Sequence, residues 1–176
     1  PETLVAGPAM FVGSKRYEGS DKLPELTALH HPIVDMSTQE QFNYVTEMAR
    51  QSGAKFPELV AAQFLRESGG KTVSGKNNYF GLKGLPGQDT TTRTTQEDNI
   101  TKGQKVEADF LNFDSPQDAV DYLTKLWYKN YKGYQGINNQ QTIQAAAQAL
   151  QDQGYATDPN YAKFLMDLVN QYSTGK

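Results

Sequence analysis

Cysteine is absent from the 176 residues, which excludes thiol catalysis, a disulfide framework and a cysteine metal site. The compartment stays open, because cysteine-free chains occur in reducing and oxidising surroundings alike. Histidine occurs only as the adjacent pair His30-His31, whose imidazoles point in different directions on any regular backbone. A turn beside Pro32 is expected there rather than a metal site. Long apolar runs are missing too. The stretch Leu59-Val60-Ala61-Ala62 falls far short of a membrane span. Nor is there an excess of positive charge: 17 basic and 20 acidic residues leave a formal net charge of −3. Binding to nucleic acid through bulk charge is therefore not expected, and neither is bulk attraction to an anionic polymer. The opening Pro1-Glu2-Thr3-Leu4-Val5 lacks the basic-then-apolar layout of a secretory signal. Aromatic residues are plentiful, with ten tyrosines, eight phenylalanines and one tryptophan, suited equally to a core and to stacking on sugar rings.

The length favours one compact domain with an appendage, large enough to bury a core without staples. Residues 1–36 show no sustained periodicity and carry Gly7-Pro8, Gly13, Gly19, Pro24 and Pro32. They read as an extended arm, with a disordered leader an equal alternative on composition. Regular structure is predicted to begin at Ser37-Thr38-Gln39-Glu40, a capping box, followed by Phe42, Val45, Met48 and Ala49 at helical spacing. Pro57 opens a second helix, with Val60 and Phe64 on one face and its end near Glu67. The region from about 85 to 113 changes character. Its β-favouring stretches Thr90–Thr95 and Lys105–Phe110 predict a small polar lobe of two or three strands. Ser115-Pro116 starts another helix with the stripe Ala119, Val120, Leu123, Leu126 and Trp127, the tryptophan read as a core anchor. A further stripe, Ile143, Ala146, Ala147 and Leu150, stops at Gly154. Asp158-Pro159 is expected to start the last helix, whose apolar face holds Phe164 or Leu165, Leu168, Val169 and Tyr172. The fold class is therefore α+β and mostly helical.

Glu67 is the residue with the clearest chemical potential. An isolated glutamate at a helix end is usually a solvated surface group. Here the preceding helix is apolar, and a helix C-terminus already carries partial negative charge. Desolvation and that dipole both raise a carboxyl pKa, the direction a general acid needs. Arg66 beside it would act the other way. A glycosidase requires a second group across the scissile bond, and the lobe offers Glu97, Asp98, Glu107 and Asp109 without spacing that chooses among them. Asn77-Asn78-Tyr79-Phe80-Gly81 combines amides suited to sugar hydroxyls with a glycine that permits close backbone approach. The same turn also fits an Asx-type link between helix and sheet.

Four blocks in order carry a family resemblance: Ala62-Gln63 through Glu67-Ser68, Asn77 through Lys83, Thr95-Gln96-Glu97, and the long block Ala149 through Ala162. Over residues from about 57 to 172 the chain resembles the glucosaminidase family of peptidoglycan hydrolases, glycoside hydrolase family 73, which includes the hydrolase domain of a flagellar-rod assembly protein. The resemblance implies a lysozyme-like body over 37–176, with the lobe beside a cleft for the glycan strand. It implies Glu67 as general acid and Glu97 as the second carboxylate that handles water. Tyr155 and Tyr134 match the aromatic cluster near the acid. Asn77, Asn78, Tyr79, Phe80, Thr95 and Tyr134 are the expected substrate contacts, and Tyr155 is expected among the catalytic residues, although it fits a core position equally well. Peptidoglycan is the implied partner, cut after N-acetylglucosamine at the bacterial cell wall, with no metal or organic cofactor. The stretch Gly69-Gly70-Lys71-Thr72-Val73-Ser74 departs from the family pattern after Glu-Ser and leaves the adjoining cleft wall open.

Two rivals stand beside this expectation. One is a lytic transglycosylase or muramidase on a similar fold. The other is a wall-binding or structural virion protein without turnover, against which the presence of Glu67 counts. Delivery without an evident signal suggests flagellar-type export, a bacteriophage virion or a piece of a longer chain, with residues 1–36 as the segment that would dock to such an assembly.

Overall fold

The computed structural model describes residues 33–71, 73–96, 105–128 and 136–173. Helix α1 (Thr38–Gln51) starts at the predicted capping box. Ser37 Oγ accepts from the Glu40 N–H at 3.1 Å, and Glu40 Oε1 accepts from the Ser37 N–H at 2.8 Å. Its buried face includes the expected Phe42, Val45, Met48 and Ala49.

Helix α2 (Pro57–Ser68) differs from the one-sided helix expected. Every residue from Leu59 to Leu65 is buried, so α2 is the central helix of the body, enclosed on all sides. It packs against α1 and the last helix, α5 (Tyr161–Ser173). Even Gln63, at 0 % exposure, lies inside. Gly69 ends the helix in the left-handed conformation, φ 63°, its N–H bonded to the Leu65 carbonyl. That conformation disfavours a side chain, so the stop falls there and Glu67 sits in the last turn.

The polar lobe is a two-stranded antiparallel sheet among the described residues, β1 (Thr90–Gln96) with β2 (Lys105–Leu111). Its register runs from Thr90 opposite Leu111 to Gln96 opposite Lys105. Only Phe110 and Leu111, at the base of β2, are buried along that strand. Among its described residues the lobe has no core of its own and meets the body at its base.

Helix α3 (Pro116–Tyr122) begins at Ser115, whose hydroxyl accepts from the Asp118 N–H. The predicted stripe holds for Ala119, Val120 and Leu123 and then fails: Leu126 is 38 % exposed and Tyr128 is buried instead. The cause is a π-helical turn at Leu123–Trp127, in which the Tyr128 N–H reaches back to the Leu123 carbonyl. An i+5 bond widens the turn, so the core-facing position moves from 126 to 128. The Trp127 side chain lies outside the described residues.

After a 3₁₀ turn at Ile137–Asn139 comes α4 (Ile143–Asp152), burying Ala146, Ala147 and Leu150. Helix α5 starts at Tyr161 rather than at Asp158-Pro159. Asp158 closes a separate turn first, its carboxyl accepting from the Asn160 N–H and its carbonyl from the Tyr161 N–H. Of the two phase choices for α5, Leu165 is buried and Phe164 is 45 % exposed. Residues of α1 to α5 share one core with Phe80, Leu82 and Leu111.

Candidate active site

Glu67 stands where α2, α5 and the Asn77–Lys83 turn meet. Its Oε2 accepts a hydrogen bond from the Tyr161 hydroxyl at 2.9 Å. Its Oε1 faces Gly81: a Cβ built on Gly81 would lie 3.6 Å away. Gly81 has φ +69°, so the turn that brings backbone against the carboxyl depends on glycine for its shape. Burial raises the Glu67 pKa above the ordinary carboxyl range. The Tyr161 hydrogen bond and the Arg66 charge lower it by less, so the net displacement is upward.

Arg66 does not pair with its neighbour. Its guanidinium contacts Asp158 at 3.4 Å and lies over the rings of Phe164 and Tyr161, at 5.0 and 5.7 Å from their centroids. Those partners hold the cation aside and leave burial dominant at Glu67.

Behind the acid runs a buried chain of polar groups. Gln63 Nε2 donates to the Tyr161 hydroxyl at 3.0 Å, and Gln63 Oε1 accepts from the Tyr128 hydroxyl. Burial raises the pKa of both phenols, with the Glu67 charge adding to the effect at Tyr161. Sequence reasoning missed Gln63, Tyr128 and Tyr161 as a unit. A signal existed for Gln63, a lone amide inside an apolar run and one helical turn before Glu67. Nothing comparable marks Tyr128, because a π turn carries it inward.

The expected sugar-binding turn is built differently from its sequence reading. Asn78 is 0 % exposed. Its Nδ2 donates to the Leu82 and Leu111 carbonyls at 2.8 and 2.9 Å, and its Oδ1 accepts from the N–H groups of Phe80 and Leu82. The amide is fully spent, so it fastens the turn to the base of β2 instead of facing a ligand. Asn77, at φ 54°, donates to the Phe113 carbonyl. Tyr79 and Phe80 pack their rings on Phe64 with centroids 4.9 and 6.2 Å away. Tyr155 donates to the Phe80 carbonyl at 3.0 Å and stacks on Tyr161 at 5.9 Å. It therefore clips the turn to α5 within reach of the acid. Thr95 is in β1 opposite Val106. Glu97 and Tyr134, with the His30-His31 turn and the 1–32 part of the arm, lie outside the described residues. Among the described residues no three His, Cys, Asp or Glu side chains converge as metal ligands.

A carboxylic acid whose pKa is raised holds its proton to higher pH than a free one and can protonate a departing oxygen. Set at a helix end beside a small β-lobe on a helical body, it defines the class: a glycoside hydrolase domain with a lysozyme-like architecture. Within that class the chain belongs to the Glucosaminidase family, described as mannosyl-glycoprotein endo-beta-N-acetylglucosaminidase, whose profile matches residues 42–174. Among known proteins it is 31 % identical over 141 residues to the peptidoglycan hydrolase FlgJ of Escherichia coli (strain K12), covering 74 % of this chain and 44 % of that protein. It is 32 % identical over 126 residues to the exo-glucosaminidase LytG of Bacillus subtilis (strain 168), covering 66 % and 44 %. The chain thus spans less than half the length of these relatives. The glycoside hydrolase domain of Salmonella typhimurium FlgJ superposes with a TM-score of 0.58 at 27 % identity, covering 80 % of this chain and 91 % of that one.

Proposed function

We propose that this chain hydrolyses peptidoglycan at the bond following N-acetylglucosamine, with Glu67 as general acid. The observation that carries the proposal is the Glu67 carboxyl, its pKa raised by burial and its position ordered by Tyr161 through one oxygen. In the reaction the Glu67 hydrogen passes to the glycosidic oxygen as the bond to the anomeric carbon breaks. Water, or the acetamido oxygen of the same sugar, supplies the new bond at that carbon. The carboxylate left behind is stabilised by the Tyr161 hydroxyl and by Arg66, the same two influences that temper its pKa. The proposed handler of water is Glu97, a reading supported by family likeness. That likeness also supports placing Tyr155 in the catalytic constellation, where its stacking on Tyr161 restrains the donor to Glu67.

The proposed substrate is the glycan strand of the bacterial wall, cut internally, and the place of action is the wall itself. Residues 1–36 are the proposed docking arm for a virion or a flagellar-type assembly. Glu67→Gln is expected to lower release of soluble fragments from purified sacculi by at least about 100-fold while the variant still folds. Full activity in that variant would rule the acid role out. Mass analysis of the products checks the bond: reducing-end N-acetylglucosamine is expected, whereas 1,6-anhydro ends would identify a transglycosylase. The relative from Bacillus subtilis is named an exo-glucosaminidase. Early products of many lengths support internal cutting here, and release of terminal units alone would favour exo action.

A further inference from the structure

We propose that Tyr128, acting through Gln63 and Tyr161, decides which oxygen of Glu67 carries the transferable hydrogen. Oε2 is held as the acceptor, and Oε1, beside Gly81, is the donor. The proposal rests on Glu67 being the acid and adds how the fold prepares it. These residues are positioning groups, since Tyr161 alone among them touches the carboxyl.

The argument starts at the far end of the chain of bonds. Tyr128 is buried, and Gln63 Oε1 is the partner of its hydroxyl among the described residues. A phenol has one hydrogen to give, and here it can go only to an acceptor. The Gln63 amide must therefore turn its oxygen to Tyr128 and its nitrogen to Tyr161. The opposite orientation would leave a buried phenol hydrogen without a partner, which burial penalises. With its oxygen accepting from Gln63 Nε2, the Tyr161 hydroxyl sends its own hydrogen to Glu67 Oε2. In a neutral carboxyl, the oxygen that accepts in this way leaves the hydrogen on the other.

Gln63 and Tyr161 are both at 0 % exposure, so water does not scramble the order. The π turn that carries Tyr128 inward is thereby tied to the acid across the body. The groups bearing on Glu67 are few. Among the described residues, Arg66 lies on its own helix and is paired with Asp158 before α5, and Tyr161 lies on α5.

Tyr128→Phe in the intact protein provides the test. Removing the terminal hydroxyl frees the Gln63 amide to rotate, and Tyr161 can then donate to Gln63 instead of Glu67. Losing a donor to the carboxylate raises its pKa, so the alkaline limb of the kcat/KM profile should move to higher pH. kcat should fall about tenfold with KM little changed, and Tyr161→Phe should move both readouts further in the same direction. A carbon-13 titration of the Glu67 carboxyl reads the same shift without turnover. An unmoved Glu67 titration and an unmoved limb in folded Tyr128→Phe would overturn the proposal. A shifted titration together with a lytic Glu67→Gln would instead sink the acid assignment and keep the relay. Should Tyr128→Phe fail to fold, nuclear Overhauser contacts of the Gln63 amide hydrogens in the native protein decide. Contacts to the Tyr161 ring are expected, and contacts to the Tyr128 ring alone would reject the polarity.

Discussion

A glutamate in the last turn of a buried helix meets two penalties on ionisation, lost hydration and the negative end of the helix. The folded protein therefore binds the Glu67 proton more tightly than the unfolded chain does. By linkage, stability drops as pH climbs from about 4.3 through the raised folded value, and the loss is complete above it. Glu67→Gln removes that titration while keeping an oxygen for Tyr161. Its melting temperature should exceed that of the native protein at about pH 8, with the difference shrinking toward about pH 4. A variant no more stable at the higher pH would show that Glu67 is solvated. At this scale the upward pKa shift of Glu67 was legible, because an apolar helix and its glycine stop can be read in order. The atoms that orient the carboxyl were not. Tyr161 lies 94 residues away in sequence, and the family-like blocks pointed instead to Tyr155 and Tyr134.

Elements place these side chains by a few fixings. The Asn77–Lys83 turn is joined to the lobe by Asn78, by the Leu111 N–H bond to the Leu82 carbonyl, and by the bridge between Lys83 and Phe110. Asn78→Ala would strip four hydrogen bonds from buried backbone groups, and a loss of about 3 kcal/mol or more is expected. A urea midpoint lowered at constant slope would measure it. An unchanged midpoint would mean that the turn holds without the amide. Capping boxes, proline starts and glycine stops were readable because each is a local rule that a few neighbours satisfy. The π turn was not, since the pattern from Ala119 to Trp127 fits an ordinary helix equally well. The partner that the buried Tyr128 hydroxyl meets there, the Gln63 amide, lies 65 residues away in sequence.

Across the whole molecule, charge is close to balanced at −3, and no helix among the described residues is long and apolar enough to cross a membrane. On the proposed function, attraction to the wall is then expected to rest on short-range contacts. Raising the ionic strength from about 0.02 to about 0.2 M, which shortens electrostatic reach from roughly 20 to 7 Å, should not weaken binding to purified sacculi. Salt-driven release in a pull-down assay would reveal a basic surface that the net charge conceals. A cavity of about 470 Å³ bordered by Ser52, Thr124, Lys125, Tyr128 and Asn138 lies beside the link between α1 and α2, and it shares Tyr128 with the relay. The Glu67 carboxyl does not border that cavity. The proposed function places the site at Glu67 instead.

By itself the chain determined its helices, its lobe and the apolar setting of Glu67, because periodicity, caps and an apolar run act between residues a few positions apart. Only the tertiary structure decided that Asn78 is a fastening, that Arg66 turns toward Asp158, and that three buried polar groups stand in line behind the carboxyl. Those outcomes depend on which hydrogen-bond partners remain once water is excluded, and the partners come from segments that sequence order keeps far apart.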